Sequence, residues 1–173
     1  MKKFILLIAS LVCAGALAVS CNDPLMDLDG TKWHIFMTED RLNGKVVSAD
    51  FDTDEVEYTG TRDNFQITIK VLGGGTHTYG PTEATVLKST AAELVFDLLY
   101  YEYDDITIDD CEYYLTYKGT KIYRYDYMYY GTPDTIFVYF KPNGKAVDVG
   151  GYAYEGEDYY WCDSTRYYCR RSR

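Results

Sequence analysis

Hydrophobic residues alternate with polar ones along much of the chain, and this period of two predicts β-strands. In residues 64–71 the hydrophobic set is Phe65, Ile67, Ile69 and Val71, with polar residues between them. Successive side chains of a strand lie on opposite faces of a sheet, so this pattern gives one apolar and one polar face. The same alternation occurs in four further segments: Leu94–Leu98, Cys111–Lys118, Lys121–Tyr129 and Thr135–Lys141.

Turn sequences separate these segments, and no segment carries the spacing of an amphipathic helix. Lys118-Gly119-Thr120, Gly131–Asp134 and Pro142-Asn143-Gly144 each join two of the alternating runs. Short strands joined by tight turns predict an all-β fold, an antiparallel up-and-down meander. We expect the meander to close into a barrel, because closure removes the exposed edges through which Tyr-rich strands could aggregate.

The N-terminal segment has a different composition. Met1-Lys2-Lys3 is positively charged, and Phe4–Val19 contains no charge. That run has the length of a secretory hydrophobic region and is short for a membrane-spanning helix. Ala18-Val19-Ser20-Cys21 follows, and it resembles the lipobox of bacterial lipoproteins. We therefore predict three parts in the chain, namely a cleaved signal peptide (1–20), a tether (21–29) and a single β-barrel domain (30–173).

The lipobox resemblance implies that Cys21 is acylated and becomes the mature N-terminus. One acyl chain holds a protein weakly to a membrane, whereas the several chains of a bacterial lipoprotein hold it stably. Asn22 after the Cys resembles an outer-membrane sorting signal, so the expected location is the cell envelope, at the outer membrane, on its periplasmic face or at the cell surface. Ordinary secretion is the alternative, because Ala18-x-Ser20 also satisfies a small-x-small cleavage rule.

Composition excludes two classes of protein. The 173 residues carry a formal net charge of -10, which would repel the phosphates of a nucleic acid. With 47% hydrophobic residues the chain is too apolar for an intrinsically disordered protein. The only membrane contact expected is the lipid anchor.

The sequence offers little catalytic or metal-binding chemistry. His34 and His77 have no Cys or acidic residue at zinc-ligand spacing. Asp50–Asp54 begins like a calcium loop but has Glu55 where that loop requires Gly. The acidic run Glu102–Glu112 is typical of a solvated loop, and no nucleophile motif or phosphate-binding loop is present. We expect neither an enzyme nor a cofactor.

Two segments resemble small lipocalin-like lipoproteins of bacteria. Asp29-Gly30-Thr31-Lys32-Trp33 leads into the first strand, like the Gly-x-Trp element that opens a lipocalin barrel, although the spacing is one residue longer. Glu83–Asp97 is similar to the mid-chain hairpin of these proteins. The resemblance implies a ligand cup or a filled barrel, and a late arginine, Arg166 or Arg170, stacked on Trp33. The alternative is that Trp33 is an ordinary core aromatic residue.

Tyrosine is the most informative residue, with twenty in the chain. Each tyrosine combines a large apolar body with a polar tip. Alternation places four of them on one face of the strand Lys121–Tyr129, and others lie on neighbouring strands. We predict that a ligand-binding surface is formed by Tyr113, Tyr117, Tyr123, Tyr125, Tyr127 and Tyr129. The alternative is that these rings form cross-strand pairs that stabilise the sheet.

The three late cysteines allow one disulfide. Residues 161–169 could fold as a hairpin about Thr165-Arg166, which would place Cys162 opposite Cys169 at a separation suited to a disulfide. An oxidising envelope would preserve it. Cys111 is then expected to be a buried free thiol.

Two functions follow from these features. The first is a non-catalytic, lipid-anchored lipoprotein that binds a small apolar, aromatic or sugar ligand in or at the mouth of a β-barrel. The alternative is a structural or protein-interaction module at the envelope surface, with a filled barrel and no ligand. A cavity in the barrel would favour the first function, because a barrel of eight strands can be either filled or hollow.

Overall fold

The computed structural model of the protein describes residues 27–152 and 159–173, so the predicted signal peptide and acylated Cys21 lie outside the described residues. No helix in this described part is long and apolar enough to cross a bilayer.

One short 3-10 helix spans Ile108–Asp110, and the predicted all-β class is confirmed. The strands are β1 (Thr31–Leu42), β2 (Lys45–Asp50), β3 (Glu55–Thr61), β4 (Asn64–Lys70), β5 (Thr76–Tyr79), β6 (Ala84–Ser89), β7 (Glu93–Leu99), β8 (Glu102–Tyr103), β9 (Tyr113–Tyr117), β10 (Thr120–Tyr129), β11 (Thr132–Phe140), β12 (Ala146–Asp148), β13 (Gly150–Tyr152), β14 (Tyr160–Cys162) and β15 (Ser164–Arg171).

The largest sheet has eight antiparallel strands and contains both ends of the described chain. Its order is β5-β4-β3-β1-β15-β7-β6, and β2 pairs with the second half of β1. The last strand, β15, lies between β1 and β7. Apart from β2 and the gap between β5 and β6, the strands of this sheet pair with their neighbours along the chain, and β1 pairs with β15 as the first and last strands of an up-and-down barrel do. The sheet departs from the predicted single meander because β8–β14 leave it and form two further sheets between β7 and β15.

The predicted closed barrel is not found among the described residues, where β5 and β6 form the two edges of this sheet. The sheet nevertheless curls. Six inter-strand steps would place the edges about 29 Å apart in a flat sheet, whereas the link Gly80–Glu83 between Tyr79 and Ala84 spans at most about 18 Å. The seam stays open because β5 has four residues and pairs only with Ile67–Lys70, the second half of β4.

Alternate residues of the curled sheet point inward and form one core. Burying such a side chain fully contributes about 1.5–3 kcal/mol to stability. Phe96 and Tyr167 stack within this core, with ring centroids 4.9 Å apart. The buried members are Leu28, Trp33, Ile35, Val56, Tyr58, Phe65, Ile67, Ile69, Ala84, Leu94, Phe96, Leu98 and Cys169.

Trp33 is stacked by an arginine from the last strand, but not by either arginine that the sequence suggested. The register pairs Trp33 with Arg171, whose guanidinium carbon lies 4.9 Å from the indole centroid. Arg166 and Arg170 alternate with Arg171 onto the opposite face of β15. There Arg166 forms two hydrogen bonds with Asp97, and Arg170 lies over Phe36. Trp33 is also fully buried, as a core aromatic residue would be.

A second sheet of five strands, in the order β8-β12-β11-β10-β9, packs against the end of β1. One of its faces joins Leu42, the last residue of β1, and Trp161 of β14 in a shared core with Ile122 and Tyr139. Its other face buries Val138 with residues of the loop after β8. The short pair β13–β14 completes the fold and places Trp161 against Phe137, with ring centroids 4.6 Å apart.

The predicted Cys162–Cys169 disulfide is wrong. Both residues are buried free cysteines, and Cys111 is a half-buried free cysteine. The expected hairpin does not form, because Ser164–Arg171 is one continuous strand held between β1 and β7. Ser164 to Cys169 alone spans roughly 16 Å of extended chain, beyond the reach of a disulfide.

Candidate ligand-binding site

The six tyrosines predicted to share one surface lie on two faces of the second sheet. Tyr123 and Tyr125 pair with Val138 and Ile136 of β11. Tyr113 pairs with Arg124, and Tyr117 with Thr120. Paired residues point to the same side of a sheet, so Tyr113 and Tyr117 lie on the face opposite to Tyr123, Tyr125, Tyr127 and Tyr129.

The four tyrosines of β10 form a stripe that is half core and half surface. Tyr123 and Tyr125 pack against the core around Val138. Tyr125 stacks on Tyr127 with ring centroids 6.0 Å apart, and Tyr129 is exposed at the end of the hairpin. The stripe as a whole therefore does not line one cup, although Tyr123 alone among the six predicted tyrosines lines an open cleft of about 610 Å³. Tyr123 and Tyr125 instead fit the alternative given by the sequence, in which the rings form cross-strand pairs that stabilise the sheet.

A cleft instead opens at the seam of the curled sheet, and we call it the seam cleft. It has a volume of about 500 Å³, within the range usual for small-molecule pockets. The strand β5 pairs only with Ile67–Lys70 of β4 and leaves Asn64–Gln66 without a neighbouring strand on that side. The seam cleft lies at this gap, between β4 on one side and β6 on the other. The lining residues are Asp27, Leu28, Tyr58, Gly60, Thr61, Arg62, Asp63, Phe65, Pro81, Ala84, Thr85, Val86 and Ser89.

One wall of the seam cleft is aromatic. Tyr58 and Phe65 face each other across β3 and β4, with ring centroids 5.3 Å apart and ring planes within 20°. Burial, together with the negative charge of Asp63, raises the pKa of the Tyr58 phenol above its usual value. This phenol is therefore neutral at physiological pH, so the wall presents an uncharged surface suited to an apolar or aromatic group.

The opposite wall carries a buried hydroxyl without a partner. Ser89, the last residue of β6, is 3% exposed, and its hydroxyl makes no hydrogen bond with any described residue. A buried polar group without a hydrogen bond costs about 1–3 kcal/mol. Such groups are rare in folded proteins, and each calls for an explanation. Among the described residues that line the cleft, Ser89 is the one polar side chain with this property.

The rim of the cleft is polar and is tied to the segment that enters β1. The side chain of Asp29 accepts a hydrogen bond from the backbone N–H of Gly60 at 2.7 Å. Leu28 is buried in the core beside the cleft. Asp27, Arg62 and Asp63 add charges of both signs at the rim. The N-terminal end of the domain therefore lies at the mouth of the cleft.

No protein-family model, characterised protein or solved structure matches this chain. Within residues 27–152 and 159–173, no group of three or more His, Cys, Asp or Glu side chains is placed to hold a metal ion.

The sequence contained one signal for the seam cleft. Glu83–Asp97, singled out for its resemblance to a lipocalin hairpin, supplies the β6 wall with Val86 and Ser89. Alternation predicts the strand that contains Phe65, whereas Tyr58 lies outside the predicted strands, and neither residue is predicted to form a site. Their approach to β6 depends on the curl of the sheet, which the alternation within each strand does not encode.

Proposed function

We propose that this protein is a lipid-anchored lipoprotein of the cell envelope that binds a small, largely apolar ligand in the seam cleft and catalyses no reaction. The observation that carries the proposal is the cleft itself, with an aromatic wall at Tyr58 and Phe65 and the unpartnered hydroxyl of Ser89. Binding pockets commonly combine apolar walls with a few polar groups that fix orientation.

The fold assignment in this proposal is a lipocalin-like barrel with an open seam. Two features support it. The first is the curl imposed by the Gly80–Glu83 link between the edge strands. The second is the stack of Arg171 on Trp33, the type of contact that the lipocalin resemblance implied. In such a barrel, the seam gives a ligand access to the core without passing through an end.

The chemistry of the cleft defines the ligand class. The uncharged walls favour an apolar chain or an aromatic ring, whose burial contributes about 25 cal/mol per Å². The Ser89 hydroxyl is buried in the cleft wall. Rotation of its side chain toward the cleft would let it gain its missing hydrogen bond from a hydroxyl or carbonyl group on the ligand. The mixed charges of the rim do not select a strongly charged molecule.

Equilibrium binding of decanol to the full chain tests the proposal. Val86→Trp places an indole in the cleft and should abolish binding. Ser89→Ala should weaken binding roughly fivefold, equivalent to one hydrogen bond of about 1 kcal/mol. Val46→Trp, at an exposed position of β2 outside the cleft, is the matched control. Equal binding by wild type and Val86→Trp would refute the proposal.

The anchor is tested separately. Intact mass of the membrane-extracted protein should show diacylated or triacylated Cys21 at the N-terminus. A soluble protein that begins at Cys21 with a free amine and an unmodified thiol would refute lipid attachment.

A second candidate function is a protein-interaction module at the envelope surface, and the β10–β11 hairpin favours it. Tyr130 is 92% exposed, and its ring packs edge-on against Tyr129 with centroids 4.6 Å apart. Exposed tyrosines are typical of binding interfaces. Tyr130→Ala would abolish capture of a partner under this function and would leave decanol binding unchanged.

A further inference from the structure

A second cleft lies between the two sheets and is separate from the seam cleft. It has a volume of about 410 Å³. Residues from the ends of β5, β7 and β15 form one side, and residues from β12 and β13 form the other. We call it the tyrosine cleft, since half of its lining is tyrosine. Its lining residues are Tyr79, Glu83, Leu98, Leu99, Tyr100, Tyr101, Asp148, Tyr152, Thr165 and Tyr167.

The tyrosines of this cleft are held by specific contacts. The hydroxyls of Tyr100 and Tyr152 are 2.6 Å apart and share a hydrogen bond. Gly150 allows Tyr100 to lie against its backbone, because a Cβ there would be 2.9 Å from the Tyr100 ring. Tyr101 is 66% exposed and Tyr152 is 40% exposed, so both retain accessible ring surface.

The charged groups of the tyrosine cleft all have the same sign. Two carboxylates line it, Glu83 and Asp148, and none of its lining residues is Lys, Arg or His. Glu83 accepts a hydrogen bond from the backbone N–H of Gly80 at 3.1 Å. Asp148 is half-buried, and this burial raises its pKa above the usual value. An ionised Asp148 thus lacks a cationic neighbour in the cleft, so an incoming cation would be stabilised there.

We propose that the tyrosine cleft binds a small organic cation, such as a quaternary ammonium group. Aromatic faces attract a cation through the negative charge at the face of the ring, and carboxylates add direct attraction. The cleft supplies both, and the protein's formal net charge of -10 repels an anion. A neutral sugar could use the same rings but would gain nothing from the negative charge, and an apolar ligand would have to desolvate Asp148.

A pair of isosteric probes tests this inference. Choline and the neutral alcohol in which carbon replaces its nitrogen have the same shape and differ in charge. Titration of the full chain, with backbone and tyrosine ring resonances as the readout, should give choline an affinity about tenfold or more above the neutral alcohol. The shifted resonances should be those of Tyr101 and Tyr152.

Charge variants separate binding in the cleft from general attraction to an acidic protein. Asp148→Asn should lower choline affinity by about tenfold and leave the neutral alcohol unaffected. Asp134→Asn removes the same charge from the exposed β10–β11 hairpin and should leave choline binding unchanged. If Asp148→Asn fails to fold, Glu83→Gln takes its place. Equal affinity for the two probes would overturn the proposal, as would a methyl glucoside that shifts Tyr101 and Tyr152 when choline does not.

Discussion

The side chain of Asp29 accepts a hydrogen bond from the backbone N–H of Gly60 at 2.7 Å, and this bond joins the entry to β1 to the rim of the seam cleft. Gly60 has φ of +96°, a conformation that residues with side chains rarely adopt. A Cβ at this position would lie 2.4 Å from the backbone oxygen of Asn64, so there is no room for a side chain. The close pairing of β3 and β4 beside the cleft depends on this glycine.

Replacing Gly60 tests that dependence. Gly60→Ala should destabilise the protein by roughly 3 kcal/mol, because backbone strain and a backbone clash add together. Gly73→Ala is the matched control. Its φ is also positive, at +75°, but nothing lies within 4 Å of the added Cβ, so it should cost about 1 kcal/mol. Urea unfolding gives both values, and equal losses would show that the clash has no effect.

Removing the Ser89 hydroxyl should not destabilise the unliganded protein. Ser89→Ala eliminates a buried group that has no hydrogen bond, so unfolding free energy should stay equal or rise by about 1 kcal/mol. Thr165→Val is the contrasting variant. It removes a hydroxyl that donates to Asp40 at 2.8 Å and should cost about 1 kcal/mol. A loss of stability in Ser89→Ala equal to that in Thr165→Val would mean that Ser89 has a partner in the folded protein.

Glu39 should make stability depend on acidic pH. Burial raises its pKa, but hydrogen bonds from Arg41 and Tyr168 outweigh burial, and the net pKa is below the usual value. A pKa lowered by folding stabilises the protein fully above the unfolded pKa of about 4.3, and that stabilisation is lost as the pH falls through the folded pKa. Glu39→Gln should therefore flatten the decline in unfolding free energy below about pH 5. An unchanged slope would contradict this role.

The cysteines should differ in reactivity under native conditions. Burial raises the pKa of Cys162 and of Cys169 to about 12, so neither forms the reactive thiolate at neutral pH. Cys111 is half-buried and more accessible. Brief alkylation of the folded protein should modify Cys111 and spare the other two, and all three should react after unfolding. A peptide that links Cys162 to Cys169 would contradict the continuous strand β15.

Alternation along the chain predicted the strands well where pairing is local. The run predicted at 121–129 became Thr120–Tyr129, and the run at 64–71 became Asn64–Lys70. The strand predicted at 135–141 begins earlier, at Thr132. The β10–β11 turn is only Tyr130-Gly131, both with positive φ, so Pro133 and Asp134 pair with β10 instead of forming the turn.

Features that depend on distant strands were not predictable in the same way. The stack on Trp33 requires the β1–β15 register, which selects Arg171 instead of Arg166 or Arg170. The Cys162–Cys169 hairpin failed for a related reason, because pairing with both β1 and β7 favours one straight strand. The seam cleft arises from the mismatch in length between β4 and β5, and neither strand alone reveals it.

Occupancy of the seam cleft by an apolar ligand is tested most directly by mapping the bound ligand with nuclear magnetic resonance. The full chain, labelled on backbone amides, would be titrated with decanol. Binding in the seam cleft should shift the amides of Phe65, Val86 and Ser89 together, with saturation at one concentration, and should leave Tyr129 and Tyr130 unchanged. Saturable shifts confined to the β10–β11 hairpin, or no shifts at Phe65, Val86 and Ser89, would contradict it.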